Sequence, residues 1–149
     1  MSGGGIVFGG GEPLLQSAFI HEVCMLADPA WKKRIETSLN VPWRYVESVL
    51  NDIDEWIIDV KDIDETIYRE YTGVSSTHLK QNLFRIQKAI GNKKFHFRVP
   101  RIAGYNTKDD VEKSVQWILE HFHSEPEVFD YIKTPNISKS WLDEAFDDE

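Results

Sequence analysis

Gly5-Ile6-Val7-Phe8-Gly9-Gly10-Gly11-Glu12-Pro13-Leu14-Leu15-Gln16 runs a short apolar strand into three glycines, an acid and a proline. Glycines free the backbone from side chains at a turn, so the pattern predicts a strand, Gly5 to Gly9, leading to a strand-to-helix loop with bare main chain at its mouth. A small ligand can dock against such a backbone. The helix that follows spans about Ser17 to Ala27, with Phe19, Ile20, Val23 and Leu26 along one side.

The same alternation repeats outward from that unit. Asp28-Pro29 ends the first helix, a strand near Arg34 to Ser38 follows, and Val41-Pro42 opens a helix with Val46, Val49 and Leu50 apolar. Trp56 to Lys61 is the clearest strand. Asp62 to Gly73 reads as loop and turn, after which Leu79, Leu83, Ile86 and Ile90 mark a helix stopped by Gly91-Asn92. Lys94 to Arg101 is a further strand, and Gly104-Tyr105-Asn106 turns into a helix that Thr107 can cap with Asp110 in the reciprocal position. Val111, Val115, Ile118 and Phe122 are its expected buried stripe, and a last strand runs from about Val128 to Ile132.

Five strands separated by crossover helices imply an α/β fold with a parallel sheet, right-handed connections, and every strand-to-helix loop at one edge. A closed eight-unit barrel usually needs ~200 residues or more, so a chain of 149 is expected to form an open or partial (βα) barrel. Residues 1–137 are the expected domain. The acidic stretch over 138–149 reads as a solvated tail.

Composition narrows the function classes. With 41% hydrophobic and 12% aromatic residues the chain can bury a substantial core. Seventeen basic against 25 acidic residues give a net charge of −8, which argues against a nucleic-acid partner held through its phosphates. No apolar run approaches the ~20 residues of a membrane helix and no basic-then-apolar leader starts the chain, so no membrane and a cytoplasmic address are expected. Cys24 is the one cysteine, too few for an internal disulfide or a three-thiolate cluster site, and beside Val23 and Met25 it reads as a small core residue. His121 and His123 lie two apart on a helix end and share no face; no metal site is expected.

Chemistry emerges from the polar residues inside the strands. A period of two puts Asp59 and Lys61 on one face with Ile57, while Trp56, Ile58 and Val60 point the other way. His96 and Arg98 likewise oppose Phe95, Phe97 and Val99, and Arg34, Glu36 and Ser38 share a face. Parallel strands covered on both sides read as nearly continuous apolar runs, and three strands here break that pattern together. One explanation is a set of internal ion pairs, Asp59 with Lys61 or Arg98 and Glu36 with Arg34. The other is a ligand site, favoured because Glu12 follows the glycine turn at the carboxyl edge where open parallel sheets bind ligands. Mixed acids and bases around a glycine-lined cleft suit a zwitterion.

Several blocks, in order, resemble the radical S-adenosylmethionine superfamily, and within it the glycyl-radical-enzyme activating enzymes of pyruvate formate-lyase type. Gly10-Gly11-Glu12-Pro13 matches the Gly-Gly-Glu-Pro signature, with Leu14-Leu15-Gln16 as its continuation. Glu36-Thr37 resembles the acid-threonine pair of activating enzymes, and Asp59-Val60-Lys61 their Asp-x-Lys motif. Arg98-Val99-Pro100-Arg101-Ile102-Ala103-Gly104-Tyr105-Asn106 resembles an Arg-x-Pro-x-x-Pro-Gly-Tyr-Asn block, with Ala103 where proline is common. The family's Leu-Pro-Tyr-His type closing segment is not matched by Tyr131-Ile132-Lys133-Thr134-Pro135-Asn136, so no adenine or partner contact is carried onto it.

The resemblance implies S-adenosylmethionine as cofactor, bound by Gly10, Gly11, Glu12, Pro13, Glu36, Thr37, Asp59, Lys61 and Arg98, with a monovalent cation as a further occupant near the methionine carboxylate. In the family a CxxxCxxC loop upstream holds a 4Fe-4S cluster, which donates an electron so that a 5′-deoxyadenosyl radical abstracts hydrogen from a glycine of a partner enzyme. Only four residues precede the first strand here, and the expectation is the body of such an enzyme without its cluster ligands, not turning over by itself. A non-catalytic module with the same fold and an S-adenosylmethionine or anion pocket is the alternative. A sheet edge left open at the first strand would favour self-association.

Overall fold

A computed structural model of the protein describes residues 3–92 and 94–131. Five parallel strands lie in sequential order: β1 Gly5–Phe8, β2 Lys32–Thr37, β3 Glu55–Asp59, β4 Phe95–Arg101 and β5 Glu127–Asp130. Between them run a 3-10 turn over Pro13–Gln16 and helices α1 Ser17–Leu26, α2 Trp43–Glu47, α3 Glu65–Thr72, α4 Thr77–Ile90 and α5 Lys108–Phe122. The expected domain boundary at residue 137, the tail over 138–149 and the final residue of the predicted last strand lie outside the described residues.

Alternation along the strands divides the sheet into two unlike faces. Ile35, Trp56, Ile58, Phe97 and Val99 are all buried on one face, against Ile20 of α1, Leu79, Leu83 and Ile86 of α4, and Ile118 and Phe122 of α5. A fully buried side chain of this size contributes about 1.5–3 kcal/mol by leaving water. Glu36, Asp59 and Arg98 stand on the other face, partly exposed and lacking any helix over them among the described residues. The apolar stripes of α4 and α5 account for the covered face, and the charges for the open one.

Segment 62–73 departs from the expected loop, because α3 occupies Glu65–Thr72. Only Tyr68 of this helix is buried, so it has no apolar stripe long enough to read. Its caps hold it instead. Asp64 Oδ1 accepts from the backbone N–H groups of Thr66 at 2.9 Å and Ile67 at 3.1 Å, and Gly73 closes the helix at φ 79°. The α5 start forms as expected: Thr107 and Asp110 make a reciprocal capping box.

Glu65 ties the start of α3 to the start of α4. Its carboxylate accepts from Ser76 Oγ at 2.5 Å, Ser76 N at 3.1 Å and Arg69 Nη2 at 3.0 Å. These bonds, the Ser76 hydroxyl first, pull its pKa down from 4.5 to about 2. The folded value lies below the unfolded one, so the stability Glu65 contributes is complete above about pH 4.5 and is lost as pH falls toward about 2. Denaturant midpoints followed across that window should drop for the wild type with a steeper slope than for Glu65→Gln, by up to one proton. Identical slopes in the two proteins would refute the clasp.

Candidate functional site

Register brings the charges together. Asp59 and Arg98 are direct partners between β3 and β4, which stand about 4.8 Å apart across the hydrogen bonds. The planar guanidinium meets the carboxylate with two bonds, Nε to Oδ1 at 2.8 Å and Nη2 to Oδ2 at 3.2 Å. Nη2 also reaches Glu36 Oε2 of β2 at 3.5 Å, so one arginine spans the acids of two other strands. The hydrogen bond to Asp59 raises the Arg98 pKa above its usual value. Lys61 Nζ is 3.9 Å from Asp59 Oδ2, at the outer limit of an ion pair, and 5.8 Å from the centre of the Tyr131 ring.

Of the pairs in the ion-pair explanation, Asp59 with Arg98 is formed and Glu36 with Arg34 is not. Arg34 is in register with Glu55 and pairs with it at 2.6 Å. Residues two apart along a strand are separated by about 6.6 Å, whereas cross-strand partners are about 4.8 Å apart, so the neighbour wins. Glu36 is thereby left for Arg98.

Above these charges lies the glycine loop. Gly10 sits at φ 101°, a conformation that side chains resist, and the chain then turns into the 3-10 segment whose cap is Glu12. Glu12 Oε1 accepts from Leu14 N at 3.2 Å and Thr37 Oγ1 at 2.5 Å; Oε2 accepts from Ser38 N at 3.0 Å and Ser38 Oγ at 2.7 Å. A carboxylate has about four acceptor positions, and all are filled by protein donors. Glu12 is therefore a clasp between the loop and the end of β2. Among the described residues, no hydrogen bond ends on the carbonyl of Gly10 or Gly11, which leaves both as acceptors.

The segment after β2 is itself constrained. Leu39 adopts φ 58°, left-handed backbone that costs a non-glycine residue about 1–2 kcal/mol. It is held there by its N–H donating to Thr37 Oγ1 at 2.9 Å and by Asn82 Nδ2 donating to its carbonyl at 2.9 Å. The strained turn aims Ser38 at Glu12.

Together these groups line a cavity of about 270 Å³ bounded by Gly10, Gly11, Glu12, Glu36, Thr37, Ser38, Asp59 and Lys61. Pro13 begins the 3-10 turn behind it, and Arg98 braces the acids from β4. A second hollow of about 310 Å³ shares Glu12, Ser38 and Lys61 and continues past Val41, Pro42, Tyr68 and Val74. Burial, with the nearby charge of Glu12 next, pushes the Tyr68 phenol up to about 12, so it stays protonated at neutral pH. All nine residues singled out in the sequence thus gather at one edge of the sheet.

Sequence reasoning missed three contributors. Ser38 was placed on the Glu36 face but not assigned a role, although it supplies half of the bonds to Glu12. Asp62 is 1% exposed and accepts from Asn106 Nδ2 at 3.3 Å. Asn106 in turn accepts from Ile102 N at 2.7 Å and donates to the Pro100 carbonyl at 3.0 Å, which explains physically why an asparagine ends that block. The adjacency of the two could not be seen 44 residues apart in sequence.

An iron-sulfur cluster finds no ligand set among the described residues. No group of three or more His, Cys, Asp or Glu side chains is arranged to hold a metal ion, and Cys24 is buried on α1 with its thiol pKa raised by that burial. Among the described residues, no helix is long and apolar enough to cross a membrane.

Removal of the Glu12 carboxylate strips an acceptor from four donors at once. Glu12→Ala should cost about 1.5–3 kcal/mol in urea unfolding, the scale of charged hydrogen bonds. A loss below about 0.5 kcal/mol would mean that the clasp does not carry the loop.

No family model matches the chain. It is 37% identical over 123 residues to the 4-hydroxyphenylacetate decarboxylase activating enzyme of Clostridioides difficile, covering 82% of this chain and 38% of that protein. It is 36% identical over 122 residues to the (2S)-3-sulfopropanediol dehydratase activating enzyme of Klebsiella oxytoca, covering 79% and 37%. The chain thus spans less than two fifths of the length of these curated relatives. A solved domain of a pyruvate-formate lyase-activating enzyme from Bacteroides vulgatus shares the fold with a TM-score of 0.69 at 24% identity, over 94% of this chain and 90% of that one. Coproporphyrinogen III oxidase of Escherichia coli, a radical SAM enzyme, shares it with a TM-score of 0.65 at 13% identity, over 88% and 32%. The five-stranded sheet is accordingly the partial barrel that these solved structures share, and over about four fifths of its length the chain is similar to activating enzymes.

Proposed function

We propose that this chain is the S-adenosylmethionine-binding body of an activating enzyme that generates a glycyl radical on a partner, and that the 270 Å³ cavity receives the methionyl end of the cofactor. The observation that carries this reading is the charge set around the glycine loop. Glu12, Glu36 and Asp59 against Lys61 and Arg98 leave one net negative charge, which complements the single net positive charge of a sulfonium bearing an amino-acid zwitterion. The cavity, about 270 Å³, is just below the usual range for ligand pockets, about 300–1,000 Å³, which suits an amino-acid head.

In this reading each group has a physical task. The free carbonyls of Gly10 and Gly11 accept from the ligand ammonium, and Glu12 orients that ammonium by holding the loop in shape. Lys61, only loosely paired with Asp59, meets the ligand carboxylate. Arg98 keeps Glu36 and Asp59 splayed on either side of it, so that the acids stay fixed when a ligand enters. The bound cofactor supplies an activated carbon–sulfur bond whose reductive cleavage requires an electron source outside the described residues. A monovalent cation beside Glu36, Thr37 and Asp59 belongs to the same proposal; it would compete with a guanidinium already 2.8 Å from Asp59.

The proposed partner is a glycyl-radical enzyme of the pyruvate formate-lyase kind, and the proposed address is the cytoplasm. Calorimetry with S-adenosylmethionine tests the core of the reading: the chain should bind weakly, and Glu12→Ala and Lys61→Ala should each abolish the signal. Tight binding indifferent to both substitutions would end it, and no binding by a folded wild-type chain would favour the non-catalytic interaction module.

Self-association is a further part of the proposal. Among the described residues β1 pairs on one side only, with β2, and Val7 is 54% exposed on it. Light scattering should then give a mass above that of one chain at high concentration, and a clean monomer throughout would remove the idea.

A further inference from the structure

We propose that Asp62 and Asn106 are positioning residues for the cavity: their side-chain hydrogen bond sets where Lys61 stands relative to Asp59 and Arg98. This rests on the cofactor reading only for the identity of the ligand.

Asp62 is an expensive residue at its position. It is 1% exposed, and its two oxygens accept from Asp64 N at 2.9 Å and Asn106 Nδ2 at 3.3 Å. The charged groups that act on it, Asp64 and Asp110, are both acids, and burial is the largest influence raising its pKa. A buried acid in such surroundings is poor value for stability, where an apolar group often serves as well or better. Its geometry has a clearer use.

Asp62 directly follows Lys61 and Asn106 belongs to the turn that follows Arg98. Asn106 grips that turn at both ends, through Ile102 N at 2.7 Å and the Pro100 carbonyl at 3.0 Å, and its remaining N–H goes to Asp62. On the other side of Lys61, buried Val60 donates its N–H to the Arg98 carbonyl at 2.9 Å. Ile63 is held by Ser114 Oγ at 3.0 Å and by Lys80 Nζ at 2.9 Å. Lys61 is thus set between fixed neighbours. A lysine has a long flexible stem, and anchoring its backbone removes much of the freedom that would otherwise oppose its meeting a ligand carboxylate.

The bond has a polarity that can be exchanged. Asp62→Asn leaves one acceptor for the two donors Asp64 N and Asn106 Nδ2, so an amide N–H faces one of them, and Asn106 cannot turn over without losing both Ile102 and Pro100. Asn106→Asp in the same protein offers an oxygen to the new amide and keeps the bond to Ile102, while the Pro100 carbonyl loses its donor. In the intact chain, titrated with S-adenosylmethionine and followed by amide chemical shifts, Asp62→Asn should weaken binding by about tenfold, the scale on which groups behind a ligand act. The double variant should recover part of that loss. In the absence of ligand, the Lys61 amide should shift in Asp62→Asn and move part of the way back in the double variant. Should Asp62→Asn fail to fold, Asn106→Ala keeps the buried acid and breaks the same bond, with the same two readouts expected to change.

A folded single variant with the Lys61 amide unmoved, or a double variant as perturbed as the single, overturns the positioning role. If the Lys61 amide responds as expected while Lys61→Ala binds S-adenosylmethionine as the wild type does, the cofactor reading fails and the pin stands.

Discussion

A guanidinium lying between two carboxylates on a sheet face that no described helix covers is the interaction on which the site depends. Parallel sheets are normally covered on both sides, since their strands come with helices and their charges would otherwise be buried. Here all the described helices serve one face, and Arg98 makes the other face tolerable by meeting Asp59 with two bonds and Glu36 with a third. Without it, two acids on neighbouring strands would repel each other beside Glu12. With it, they are held apart at fixed positions, and Lys61 remains the least committed charge of the set.

The glycine loop depends on a second constraint, the filling of all four acceptor positions of Glu12. A loop of three glycines has little reason of its own to adopt one shape, because glycine loses more backbone entropy on folding than other residues. Thr37 and Ser38 supply the missing order, and the left-handed Leu39 stores the strain that aims Ser38 inward. The consequence for function is a division of labour. Carboxylate chemistry holds the loop, while Gly10 and Gly11 line the cavity with bare main chain.

How much of this was legible follows from the range of each signal. The five strands and the charged face of β2, β3 and β4 obey a period of two, which is local and survives any packing. The stripe of α4 at Leu79, Leu83, Ile86 and Ile90 and the box of Thr107 with Asp110 are likewise local. α3 escaped because its one buried residue, Tyr68, makes no stripe and its stability comes from caps. Strand alternation puts Arg34 and Glu36 on one face, whereas register decides that Arg34 touches Glu55.

By itself, the sequence determined the class of fold, the face on which each strand charge stands, and the turn at which backbone is exposed, since all three follow from short-range periodicity and from the conformational freedom of glycine. The relatives found by comparison agree with the family its motifs pointed to. Only the tertiary structure decided that Glu12 is already saturated, that Glu36 belongs to Arg98, and that buried Asp62 reaches Asn106. Apart from the bond of Leu14 to Glu12, those are contacts between residues 25 to 62 positions apart, and they depend on strand order and register, which no local pattern encodes.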